Sequence, residues 1–291
     1  MFDIIIIGAG IAGMTSALYG ARAGKSVLLL DNNSFGGQII NSNEVENYPC
    51  VSKIDGFTLM KNLYDQVMEY DVTYKGEEVI ELIDNHTVKT VNGEYVGKVI
   101  IIATGLINRT LGVEENFIGK GVSYCAMCDG NFFRGKDVAV VGGGNTAFED
   151  AIYLSNIVNK VYLINRRNEF RADKVLVDKV NSLNNIEIIA PANVIEVKGD
   201  VILNEIVLDN GTSLNISGLF LAIGKIPNTS IFKDYVDIDE YGYIVSDDTK
   251  TRTDNIFVIG DVRTKDVRQL ITAASDGAIA IHYATAYLNK N

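Results

Sequence analysis

Cys125 and Cys128 stand in the stretch Ser-Tyr-Cys-Ala-Met-Cys-Asp-Gly, residues 123–130. A C-x-x-C pair can ligate a metal, close a structural disulfide, or cycle between dithiol and disulfide. A zinc site needs four ligands. Beyond this pair the chain offers only Cys50, His86 and His282, and no second C-x-x-C. Three cysteines also make no secreted disulfide framework. A redox dithiol is the reading that remains, and C-x-x-C placement lowers a cysteine pKa toward the reactive thiolate. Asp129 follows directly. A carboxyl there can protonate a leaving thiolate as a general acid, or serve as a turn residue or helix cap; the residues leave both roles open.

A redox dithiol needs an electron source, and two glycine-rich turns offer one. The first is Gly-Ala-Gly-Ile-Ala-Gly at 8–13. Gly8 permits a tight turn, Gly10 lets backbone approach a pyrophosphate, and Gly13 lets helix and strand pack closely. The pyrophosphate then sits at a helix N-terminus, where free N–H groups and the dipole favour an anion. Asp31 ends the next apolar run, "SVLLLD", where an acid accepts from a ribose 2′-hydroxyl.

The second turn is Gly-Gly-Gly-Asn-Thr-Ala at 142–147, with Gly142, Gly144 and Ala147 in the fingerprint positions and Asn145 and Thr146 between them. Its second strand ends differently, in "NRRNEFR". Arg166 and Arg167 stand where an acid would select an unphosphorylated ribose. Arginines there accommodate a 2′-phosphate through paired, charge-assisted hydrogen bonds, and Arg171 can close the clamp. One site is therefore acid-ended and the other arginine-ended, the latter suited to NADPH. A nicotinamide moves a hydride, whereas a disulfide exchanges through thiolates. A flavin mediates between the two, so FAD is expected in the first site and NADPH in the second.

These residues require a particular scaffold. Each glycine turn lies between a β-branched run ("IIII", "DVAVV") and a helix-compatible stretch leading to a second strand, which is a βαβ unit. The pieces "VTYKGEEVIEL", "HTVKTVNG" and "YVGKVIIATG" read as an antiparallel meander inserted in the first domain. "IEIIA", "VIEVKGDVILNEIVLDNG" and "GLFLAIG" read as a similar insertion in the second. A closing segment, "TDNIFVIGDV", runs into an apolar helix, "RQLITAASDGAIAIHYATAYL", expected to pack back on the first domain. The fold class is α/β: two Rossmann-like dinucleotide-binding domains, each a parallel sheet with an antiparallel β-meander insertion, the second domain inserted into the first. With only three prolines and no low-complexity linker, the crossings are short and fall near Leu111 and Gly224.

With 47 % hydrophobic residues, such a chain can bury a sizeable core. A net charge of −11 argues against nucleic acid or an anionic membrane surface as partner. The four-isoleucine run at the N-terminus follows an acid and ends at glycine, unlike a signal peptide, and no run approaches a membrane span. A cytoplasmic location is expected.

The chain resembles the low-molecular-weight bacterial thioredoxin reductases across nearly its whole length. The matching stretches are "GAGIAG", "GGQI" at 36–39, "ENYP" at 46–49, "ATG" at 103–105, "CAMCDG" at 125–130, "GGGNTAFEDA" at 142–151, "RRNEFRA" at 166–172 and "IGDVRTKDVRQLITAASDG" at 259–277. The resemblance implies a homodimer that passes electrons from NADPH through FAD and the Cys125–Cys128 disulfide to thioredoxin. It implies FAD held by residues 1–111 and 225–291, and NADPH by 112–224. Asp31, Gly36, Gly37, Gln38 and Asn47 would contact FAD, with Asp261 on its ribityl or phosphate side and Arg268, Gln269 and Leu270 near the isoalloxazine. It also implies a hinge motion between two domain orientations. The chain departs from the family twice. Asn165 stands before Arg166-Arg167 where the family often has histidine, so a charge and a ring are missing beside the nucleotide. Cys50 replaces the usual glycine after "ENYP" and is expected to be a small buried residue.

Overall fold

Four consecutive isoleucines form most of the first strand, β1 (Phe2–Ile7). Their side chains alternate: Ile4 and Ile6 enter one core layer, Ile5 and Ile7 the other. A strand covered on both faces needs such an unbroken apolar run. The computed structural model describes residues 1–32, 34–42 and 44–290. It divides into two units, Met1–Ile107 with Ile226–Asn291, and Asn108–Lys225. The crossings thus fall at Ile107/Asn108 and Lys225/Ile226, against the expected 111 and 224.

In the first unit β1 is followed by α1 (Ile11–Arg22), β2 (Val27–Leu30), α2 (Gly56–Met68), β3 (Val72–Lys75), β4 (Val79–Leu82), β5 (Thr87–Thr90), β6 (Glu94–Ile102) and β7 (Leu106–Asn108). The sheet runs β3-β2-β1-β6-β5-β4. Strands β3, β2, β1 and β6 are parallel, and β6, β5 and β4 antiparallel. The long β6 joins the two kinds of pairing: Glu94–Val96 meet β5, and Gly97–Ile102 meet β1. The expected meander is therefore β4-β5-β6, while "VTYK" is corrected to an outer parallel strand. Its half-polar pattern marked a strand without revealing its neighbour.

The second unit contains β8 (Val122–Ser123), α3 (Ala126–Asp129), β9 (Asp137–Val141), α4 (Asn145–Ser155), β10 (Lys160–Ile164), α5 (Lys174–Asn181), β11 (Ile186–Ile189), β12 (Val194–Lys198), β13 (Glu205–Leu208), β14 (Ser213–Asn215) and β15 (Gly218–Leu221). Its parallel sheet runs β11-β10-β9-β15-β8. Helices α4 and α5 cover one face through Phe148, Ala151, Leu154 and Val180. The antiparallel β12-β13-β14 sheet covers the other through Val194, Val197, Ile206 and Leu208. The second insertion is thus confined to these three strands. "IEII" and "GLFL", assigned to it from sequence, are members of the parallel sheet.

The chain returns through β16 (Lys225–Pro227), which pairs with β7. Strand β17 (Ile256–Val258) joins β6 in parallel. Helix α6 (Leu270–Leu288) then lies against α1. Small residues permit that approach: a Cβ on Gly277 would stand 2.6 Å from the carbonyl oxygen of Ala12. Ser16 Oγ donates to the Gly277 carbonyl at 3.0 Å, satisfying a buried hydroxyl. Among the described residues no helix is long and apolar enough to cross a membrane.

Candidate active site

In the first unit Gly8, Gly10, Asp31 and Asp261 follow the carboxyl ends of β1, β2 and β17, where α/β sheets bind ligands. Gly8 has φ +110°, and a Cβ there would lie 2.3 Å from the Ala103 carbonyl oxygen, so only glycine fits. Gly13 packs its helix onto the Gly8 carbonyl, which a Cβ would meet at 1.8 Å. Gly10 caps α1 without any side-chain hydrogen bond, and no acid stands in the first turn. The helix N–H groups are therefore left for an anion. Gly37 closes over this turn: its Cβ position lies 3.1 Å from Gly10 Cα. Gly36 N–H donates to the Ala9 carbonyl at 2.8 Å. A bulkier residue would fill this cradle, so the residues present fit a pyrophosphate.

Asp31 accepts from the Ala9 N–H in the middle of the glycine turn. Burial pushes its pKa up to about 6, against the lowering effect of the Ala9 and Asn32 N–H groups. Gln38 donates its amide to the Leu106 carbonyl. Asn47 Nδ2 donates to Gln269 Oε1 at 3.1 Å, which brings together two candidates from opposite ends of the chain. Leu270 opens α6.

Asp261 lies in a short 3₁₀ turn, Gly260–Val262, just past β17. Its carbonyl accepts from Arg268 Nε at 3.3 Å, and the Arg268 guanidinium stands 4.2 Å from the Tyr243 ring centroid. This turn is pinned by Asp276 of α6, a residue not expected from the sequence. Asp276 is 4 % exposed and accepts from Gly260 N–H, from Arg263 Nε and Nη2, and from Lys265 Nζ, all at 2.9 Å. Burial pushes its pKa up, but the hydrogen bonds from Arg263 and then Lys265 outweigh that, and it lies below the usual carboxylate value. The signal available in sequence was an acid inside an otherwise apolar helix, with two cations just upstream.

The second unit repeats the cradle. Gly142 has φ +154°, and its Cβ position is 2.4 Å from the Ala222 carbonyl oxygen and 2.7 Å from Ala147 Cβ. Gly144 caps α4 with no side-chain hydrogen bond and no acid in the first turn, and a Cβ on it would meet nothing within 4 Å. Asn145 and Asp173 bond reciprocally at 2.8 Å in both directions, so the Asn145 side chain is committed to the start of α5. Thr146, Arg166, Arg167 and Arg171 are exposed. The three arginine side chains form no ion pair among the described residues. Three unneutralised guanidinium groups near an open helix N-terminus fit a phosphorylated nucleotide.

Cys125 and Cys128 are joined as a disulfide across the single turn of α3. Cys128 N–H donates to Cys125 Sγ at 3.2 Å, a contact that would favour a thiolate on Cys125 after reduction. Asp129 ends α3, and Ser123, not anticipated from sequence, links it to the pair. Ser123 Oγ donates to Asp129 Oδ2 at 2.6 Å and accepts from Cys125 N–H at 3.0 Å. The turn rests on α4: Gly130 packs against Leu154 and Tyr153, whose hydroxyl donates to the Met127 carbonyl. Helix α4 thus opens at the second glycine turn and, through Tyr153 and Leu154 in its last turn, supports the turn that carries the disulfide.

No cluster of His, Cys, Asp and Glu suited to a metal occurs among the described residues. Cys50 departs from expectation: it is exposed, not buried, and has φ +73°. It occupies a left-handed turn that glycine adopts without strain.

Residues 2–278 match the family model of the pyridine nucleotide-disulphide oxidoreductases. The whole chain aligns with 98 % of a thioredoxin reductase from Peptoclostridium acidaminophilum at 37 % identity. It aligns with 96 % of the one from Bacillus subtilis at 35 %. The crystal structure of Lactococcus lactis thioredoxin reductase covers all of the chain and is itself fully covered, with TM-score 0.82 and 36 % identity. With two dinucleotide cradles, a C-x-x-C disulfide and a match to these proteins from end to end, the chain belongs to the thioredoxin reductase family of pyridine nucleotide-disulphide oxidoreductases.

Proposed function

We propose that this chain is an NADPH-dependent thioredoxin reductase, with Cys125–Cys128 as its redox disulfide. One observation carries the reading: an arginine-ended dinucleotide cradle opens helix α4, and the α3 turn that holds the C-x-x-C disulfide packs on the same helix. In the first unit Gly8, Gly10, Gly13, Asp31, Gly36, Gly37, Gln38, Asn47, Asp261, Arg268, Gln269 and Leu270 would hold FAD. In the second, Gly142, Gly144, Thr146, Ala147, Arg166, Arg167 and Arg171, with Asn145 through its backbone N–H, would hold NADPH. Bound together, these cofactors supply hydride transfer and the two electrons that open a disulfide.

The chain's own residues then perform the exchange. A Cys125–Cys128 dithiol attacks the partner's disulfide through one thiolate, which forms a mixed disulfide and releases one partner thiolate. The second thiol attacks the mixed bond, releases the other partner thiolate, and restores Cys125–Cys128. One disulfide is reduced and one is formed. Asp129, held by Ser123, is placed to move the protons this exchange requires. The partner is a thioredoxin-type protein disulfide. The working enzyme is a cytoplasmic homodimer with domains 1–111 plus 225–291 and 112–224, as its resemblance to the family implies. Anaerobic titration of the flavin absorbance tests the cofactor path: NADPH should bleach it at far lower concentration than NADH. Equal bleaching by both would remove the role of the arginines.

A further inference from the structure

Asn165 follows β10 directly, at the point where the sequence turns into Arg166 and Arg167, and it is 7 % exposed. Its amide does not face solvent. Nδ2 donates to the Arg167 carbonyl at 2.5 Å and to the Glu169 carbonyl at 3.2 Å. Both partners are acceptors, so the nitrogen end must face them. Its oxygen end lies against Gly143, whose Cβ position is 2.4 Å from Asn165 Oδ1. Gly143 is the one glycine of its triplet with no place in the dinucleotide fingerprint, and this seat explains it. At the other end of the loop, Arg171 N–H donates to the Gly143 carbonyl at 2.7 Å. The segment 166–171 is thus tied at both ends to the glycine turn.

We propose that Asn165 is a positioning residue for cofactor choice: it folds the 166–171 loop so that Arg166, Arg167 and Arg171 form the 2′-phosphate clamp before any nucleotide arrives. It touches no phosphate itself. The asparagine that replaces histidine therefore preserves selection for a 2′-phosphorylated nucleotide, because its two carbonyl bonds supply order in place of charge. Order set in advance removes the cost of arranging three long side chains on binding. The inference rests on reading the second glycine turn as the NADPH site.

The probes are adenosine 2′,5′-bisphosphate and 5′-ADP, bound to the flavin-loaded protein and followed by calorimetry. Tighter binding of the 2′,5′-compound by the wild type establishes the clamp; equal binding of both would refute the NADPH reading itself. With Asn165→Ala, affinity for the 2′,5′-compound should fall by about tenfold, with 5′-ADP unchanged within about twofold. Hydrogen exchange gives the second readout. In the nucleotide-free wild type, the Arg171 amide should already be protected, and the variant should lose that protection. Equal losses for both probes would reduce Asn165 to a general structural role. Unchanged loop exchange together with lost 2′,5′-affinity would make it a direct ligand, and either result overturns the proposal. Should Asn165→Ala not fold, strong new protection of residues 166–171 on adding the 2′,5′-compound to the wild type would overturn it as well.

Discussion

Ser123 Oγ donates to Asp129 Oδ2 at 2.6 Å and accepts from the Cys125 N–H at 3.0 Å. One hydroxyl thus fixes the acid relative to the disulfide. Asp129→Asn keeps the shape but cannot carry the proton. Turnover with thioredoxin should fall by about a hundredfold, at unchanged flavin content. Ser123→Ala frees the carboxylate to rotate and should cost less. Wild-type turnover in Asp129→Asn would return Asp129 to a turn or capping role.

Asp31 makes the first cradle a source of instability when no flavin is bound. Its folded pKa of about 6 lies above that of an unfolded aspartate. The folded state then binds the extra proton, so its stability is fullest below the unfolded pKa and is lost as pH rises through about 6. Thermal melts of flavin-stripped protein should show that decline, and Asp31→Asn should abolish it. The same variant should melt higher at neutral pH yet bind FAD more weakly. A pH-independent melt in the stripped wild type would contradict this.

The Asp276 carboxylate lies among Gly260 N–H, Arg263 and Lys265 in a nearly dry site. Asp276→Asn leaves two largely covered cations short of their counter-charge. Breaking such a network costs about 3–5 kcal/mol. Denaturant unfolding should show that loss, and gel filtration should show flavin released more readily, because the Gly260–Asp261 turn loses its anchor. Because its folded pKa is depressed, this contribution is present above the unfolded pKa and is lost as pH falls through the folded one.

Cys50 has φ +73° and is exposed. Cys50→Gly should stabilise the protein by about 0.5–1 kcal/mol by relieving the left-handed strain. It should leave thioredoxin turnover unchanged, which a melt and a coupled assay on one preparation would check. A loss of turnover would give the third thiol a place in the chemistry.

The two cradles were legible because their logic is local. Gly8, Gly10, Gly13 and Asp31 lie within one βαβ unit, and spacing alone carries their roles. The Asn47–Gln269 bond was invisible, because its partners meet only once α6 packs on α1. Ser123 and Asp276 were passed over for a related reason: a serine before a cysteine, or an acid in a helix, acquires meaning only from its neighbours in space. Strand β3 was assigned to the meander because alternation marks a strand, not its partner. Cys50 was misjudged because a positive φ belongs to the turn, and a cysteine does not advertise it.

The central claim is that electrons leave through Cys125–Cys128, and Cys128→Ser tests it most directly. In a coupled assay with NADPH and oxidised thioredoxin, the wild type should turn over and the variant should reduce no thioredoxin. NADPH should still bleach the variant's flavin. Thioredoxin reduction at the wild-type rate by Cys128→Ser would contradict the account.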